Sequence, residues 1–265
     1  MFDFDPVHVR KKNARIRPFD PKTGFKHASK GSSPHQLHVD EWQLMHAAAK
    51  SELSRSFSLH DARSHALSLW GRMRPYFVWN KSNLRLVSAD IFRRKDSSYT
   101  FDSSRLGEGI GHLYMQAHQY TYWDHLPSLY ERVAGKQIEH SQRLRVAKLR
   151  LGPRPEIQPD FVFEDDAKNV ALAEMKGSFV EFADEYTPIT GTLRDGLHQL
   201  DAWKALVIPT PSKAFAMAAF LRRENDPRPE PSLLGLQWSQ LVPMILFSCP
   251  LRGPALDSPG SWLVP

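Results

Sequence analysis

Two carboxylates and a lysine stand out by type and spacing. Asp160 follows Pro159 at the head of "PDFVF", and fourteen residues later "ALAEMKG" supplies Glu174 and Lys176. Both runs read as strands, with "EDDAKN" as the turn between them. Side chains alternate along a strand, so Glu174 and Lys176 point the same way, after Val170 and Leu172 on that face. If the strands pair through the turn at 164–169, Asp160 comes close to Glu174. Two neighbouring carboxylates repel unless a cation neutralises them. A hard divalent ion such as magnesium suits oxygen ligands and keeps part of its water shell. A lysine beside such an ion can orient a water or hold an anionic substrate. Hydrolysis of a phosphodiester needs this set of groups on a rigid mount.

Pro159-Asp160 followed by Glu174-Met175-Lys176 resembles the signature of the PD-(D/E)XK, or restriction-endonuclease-like, nuclease superfamily, over residues 104–222. The resemblance implies a mixed α/β fold whose core runs helix, three antiparallel strands, helix, strand. It implies that Asp160 and Glu174 ligate the metal, with the Met175 backbone carbonyl close by, and that Lys176 engages the attacking water or the scissile phosphate. Glu108, in "LGEGIGHLY", matches the acidic residue that the family often places on the preceding helix. Gln199, in "LHQLDAWK", matches the glutamine on the following helix, with Lys204 beyond it. The cofactor so implied is Mg2+, with Mn2+ as a substitute. The expected activity is hydrolysis of DNA, as an endonuclease rather than an exonuclease, in bacterial defence or a mobile element. The competing expectations are a catalytically silent nuclease-fold module for nucleic-acid binding or assembly, and an RNA-directed nuclease.

The surrounding elements must position these residues. "SSRLGEGIGHLYMQAHQY" predicts a helix from about Ser104, capped by Ser103 or Ser104, whose apolar residues recur at helical spacing. Gly107, Gly109 and Gly111 weaken its propensity. "QRLRVAKLRLG" alternates aliphatic with basic residues and predicts the first strand of the meander, its Arg145 and Lys148 offering phosphate contacts. "HQYTYWDH" reads as aromatic packing at a helix end. "TGTLRDGLHQLDAWKALV" predicts the second helix, where Arg194 and Lys204 are further candidates for nucleic-acid contact. "AFAMAAFL" predicts a buried strand, "ENDPRPEPS" a loop, and "LVPMILFSCPL" a last strand.

Toward the N-terminus, residues 1–35 read as a polar, basic arm, followed by helical patterns around "DEWQLMHAAAKSEL" and "LHDARSHALSLWGRM". The expected organisation is an arm and mostly helical accessory region over 1–95, a nuclease core over 96–250 and a tail over 251–265. Composition allows this: 41% hydrophobic and 24% charged residues suffice for a packed core in a chain of 265. A net charge of +6 suits a polyanionic partner. The lone Cys249 excludes an internal disulfide framework and a cysteine-based zinc site, and fits a reducing cytoplasm. No secretory leader or membrane-length apolar run is expected. The twelve histidines are scattered without a ligand spacing. Cutting both strands of a duplex would suit a homodimer or a larger protein complex.

Overall fold

The computed structural model describes residues 11–18, 36–52, 59–77, 84–87, 97–133, 150–151, 158–180, 186–204, 206–222 and 232–237. The strands are β1 (Lys11–Pro18), β2 (Gln36–Asp40), β3 (Tyr122–His125), β4 (Arg150–Leu151), β5 (Phe161–Glu164), β6 (Val170–Val180), β7 (Val207–Ile208), β8 (Lys213–Arg222) and β9 (Ser232–Gln237). The helices are α1 (Glu41–Glu52), α2 (Leu59–Met73), α3 (Ser97–Ala117), α4 (Leu126–Val133) and α5 (Tyr186–Lys204), with a 3-10 turn at Arg74–Tyr76. Seven strands form one mixed sheet in the order β2-β1-β9-β8-β6-β5-β3, and β4 and β7 make a separate two-stranded ribbon.

The sheet centre is β6 beside β8, which run parallel because α5 carries the chain back across the sheet between them. Both strands are rich in alanine and larger apolar residues on alternate faces, the pattern of strands covered on both sides. Ala173, Met175, Phe215 and Met217 pack toward one cluster, with Leu44 and Met45 of α1 and Leu106 and Ile110 of α3. Leu172, Ala214, Ala216 and Ala218 pack toward the other, with Leu193, Leu200 and Trp203 of α5. The result is a three-layered α/β arrangement.

The β5–β6 hairpin has its register pinned by its turn. Asp165 accepts hydrogen bonds from the Asn169 backbone N–H and from Asn169 Nδ2, both at 2.8 Å. Lys168 takes a left-handed φ of 65° and donates its N–H to the Asp165 carbonyl at 3.0 Å. The ladder then runs to Phe161 opposite Ala173. One step further, Asp160 meets Glu174.

The element reading needs correction at several points. The neighbour of β5 on its outer side is β3, from the aromatic run "HQYTYWDH", rather than the basic strand around Arg145. Of "QRLRVAKLRLG", the described part is Arg150–Leu151, and it pairs with β7 in the ribbon. The aromatic run enters the sheet because α3 ends sharply, with Gln119 at φ 69°, and Trp123 and Asp124 are then buried. Helix α3 also starts earlier than its serines suggested. Ser103 lies inside it and donates back to the Thr100 carbonyl at 2.9 Å, so it caps nothing. The N-terminal arm contributes β1 to the main sheet, and α1 packs across α3, so residues from the region read as accessory share the sheet and its core. "LVPMILFSCPL" lies outside the described residues. Among the described residues no helix is long and apolar enough to cross a membrane.

Candidate active site

Asp160 and Glu174 interlock through their backbones. The Asp160 N–H donates to Glu174 Oε2 at 3.0 Å, and the Met175 N–H donates to Asp160 Oδ2 at 2.9 Å. The Asp160 carbonyl accepts from Leu126 N–H at 2.9 Å, tying the turn before β5 to the start of α4. Glu174 Oε1 is paired with Lys176 Nζ. Alternation along β6 thus places Glu174 and Lys176 on one face, as the spacing predicts, and the hairpin register delivers Asp160 to them.

Glycines make this corner possible. A Cβ on Gly107 of α3 would stand 2.3 Å from the Cα of Gly177, and one on Gly177 would stand 1.9 Å from the Ser103 carbonyl oxygen. A Cβ on Gly111 would meet the Met175 sulfur at 2.6 Å. Helix α3 therefore lies directly on β6 at the charged end of the strand. On the other face, a Cβ on Gly196 of α5 would come within 3.2 Å of Glu174 Cγ. Helix α5 covers Glu174, whose residue exposure is 1%. The sequence signal for these glycines is present but ambiguous: glycine inside a helical pattern lowers propensity and marks close approach only when a neighbour is known.

Glu108 is drawn in from α3. Its Oε1 accepts from Ser104 Oγ at 3.3 Å and its Oε2 from Arg105 Nη1 at 3.3 Å. Burial pushes its carboxyl above the usual range and the Asp160 charge adds to that; Arg105 and the Ser51 and Ser104 hydroxyls oppose it. Burial likewise drives the Glu174 carboxyl up to about 8, again with Asp160 adding, while Lys176 and the Asp160 N–H oppose. Burial alone would lower the Lys176 ammonium. The charges of Asp160, Glu174 and Glu108 outweigh it, and the net shift is upward. Lys176 thus keeps its proton, and the crowding of the acids shows in the raised carboxyls of Glu174 and Glu108.

Gln199 lies one turn beyond Gly196 on α5 and is half-buried. Arg194 is on the same helix and exposed, and Lys204 is its last residue. Arg145 and Lys148 lie outside the described residues. No family model, curated protein or solved structure matches the chain. The chemistry of the site therefore rests on its own residues.

Those residues fit a hard divalent cation in charge and donor type. Three carboxylates, two of them with raised proton affinity, face one lysine and one arginine, and every donor is oxygen. Among the described residues no group of three or more His, Cys, Asp or Glu side chains is placed to hold a metal ion. Asp160 and Glu174 are the residues that would hold such an ion, and magnesium commonly keeps part of its water when so held. The interlocked corner sets carboxylate oxygens beside an ammonium.

Proposed function

We propose that this protein is a metal-dependent nuclease of the PD-(D/E)XK type that hydrolyses phosphodiester bonds in DNA. The observation that carries the reading is the Asp160–Glu174–Lys176 corner, in which two carboxylates are locked together by backbone N–H groups beside a lysine. The sheet arrangement supports it: β3, β5 and β6 are antiparallel neighbours between α3 and α5, with α4 and β4 inserted between β3 and β5, and β8 after α5 lies parallel to β6. The net charge of +6 fits a nucleic-acid partner.

Asp160 and Glu174 would hold the ion, and Glu108 would add a third carboxylate to its outer surroundings. A magnesium ion there would supply charge neutralisation at the phosphate and ease ionisation of water. Lys176, with its side chain 40% exposed, reaches from the buried acids toward solvent, where it can orient the attacking water or hold a phosphate oxygen. It leaves Glu174 to do so, which is feasible once another cation takes its place. Gln199 would position water or substrate from the α5 side.

The test is cleavage of supercoiled plasmid DNA with magnesium by wild type, Asp160→Ala and Lys176→Ala, with duplex, single-stranded DNA and RNA offered in parallel. Both substitutions should abolish cutting. Cutting that survives both would sink the assignment, and a preference for RNA would move the substrate class.

A further inference from the structure

Resting on the nuclease reading, we propose that Arg105 is a positioning residue for Glu108, held in place from the N-terminal region by Glu52. The guanidinium bridges two carboxylates on different helices. Its Nε lies 3.1 Å from Glu52 Oε1 on α1, and its Nη1 lies 3.3 Å from Glu108 Oε2 on α3. The plane of Phe101 supports it from one side, with the guanidinium carbon 4.6 Å from the ring centroid. The other oxygen of Glu52 meets His65 Nε2 of α2 at 2.6 Å. A continuous polar chain thus runs from His65 through Glu52 and Arg105 to Glu108, crossing α2, α1 and α3 to the edge of the metal-holding corner.

The chain has a physical purpose there. Glu108 is mostly buried and feels the Asp160 charge, so repulsion would turn it away from a third-carboxylate position. Arg105 offsets that repulsion, and Glu52 keeps Arg105 from folding onto Asp160 and Glu174 instead. The ion pair to Glu52 and the hydrogen bond to Glu108 leave the guanidinium by different nitrogens, a fork that lysine cannot reproduce. A staple that only joins helices would contribute to stability alone. A positioning residue also sets how well the corner accepts a cation, since partners of metal-holding groups alter affinity about 10–100-fold when removed.

The experiment measures Mn2+ affinity by calorimetry, together with melting temperature and plasmid cutting, for full-length wild type, Arg105→Lys, Arg105→Ala, Glu52→Gln and the Glu52→Gln/Arg105→Lys double variant. Arg105→Lys keeps the charge, so it remains informative where Arg105→Ala fails to fold. We expect each folded single variant to lose roughly 10–100-fold in Mn2+ affinity, with a parallel loss in cutting. The double variant should be no worse than the weaker single, because both break one bridge. Wild-type affinity in Arg105→Lys, with only the melting temperature changed, overturns the inference and leaves the nuclease reading intact. A wild type that neither binds Mn2+ nor cuts overturns the nuclease reading, and this inference with it.

Discussion

Asp102 and Glu174 are both buried acids beside a basic side chain, yet their surroundings differ in kind. Asp102 on α3 is 2% exposed and is met by donors: Tyr76 Oη at 2.8 Å and Arg72 Nη2 at 2.9 Å. Glu174 on β6 is as deeply buried, but Asp160 stands against it as well as Lys176. At Asp102 the donors balance one charge, which is what a structural ion pair between helices requires. At the Asp160–Glu174 corner two carboxylates meet instead, and burial together with the Asp160 charge raises the Glu174 carboxyl to about 8. A perturbed, crowded acid of this kind is what the proposed cation site would use.

The contrast can be broken from either end. Asp160→Asn keeps an acceptor for the Met175 N–H and removes the charge. It should lower magnesium-dependent cutting by about a thousandfold, roughly 4 kcal/mol in the barrier, with the fold retained. Plasmid nicking alongside circular dichroism checks this. Asp102→Ala should do the reverse: it removes the acceptor of the Tyr76 hydroxyl and the partner of Arg72 and costs roughly 3 kcal/mol of stability in urea titration, while cutting per folded molecule stays near wild type. Equal loss of cutting in both variants would erase the distinction.

A pH series sharpens it. The Glu174 carboxyl is raised in the folded state from its ordinary 4.5 to about 8. Below pH 4.5 it is protonated folded or unfolded and its contribution is fully present. As pH rises toward 8 the unfolded chain ionises more readily, so metal-free stability should fall across that window. Added magnesium should restore it by binding the folded state. Glu174→Gln should flatten the metal-free profile, as read by melting temperature; a slope that persists in Glu174→Gln would point to another group. The smallest effects concern glycines. Gly107→Ala places its methyl 2.3 Å from backbone and should cost about 1–3 kcal/mol. Gly196→Ala meets Glu174 Cγ at 3.2 Å, a contact relieved by a few tenths of an ångström. The helix-propensity gain of about 1 kcal/mol offsets that crowding, so stability should barely change while cutting falls severalfold.

The hairpin was legible because its signals are local. Alternation set the faces of β6, and "EDDAKN" supplied the turn that sets the register, so Asp160, Glu174 and Lys176 could be brought together from spacing alone. Helix α5 and strand β8 were legible for the same reason. The partner of β5 was not. "QRLRVAKLRLG" has the better strand alternation, yet "HQYTYWDH" takes that position, because pairing depends on where α3 ends and what Trp123 and Asp124 can bury. Residues 1–35 read as a polar, basic arm, and β1 within them joins the sheet between β2 and β9, the latter remote in sequence.

By itself the sequence determined the charged end of the β5–β6 hairpin, since strand period and turn chemistry act over a few residues. Tertiary structure alone decided that Gly107 and Gly196 let two helices close over that end, that Glu108 is drawn toward it, and that Arg105 and Glu52 link it to α1. Those relations depend on the distance between elements, and helix and strand periodicity carry no information about distance.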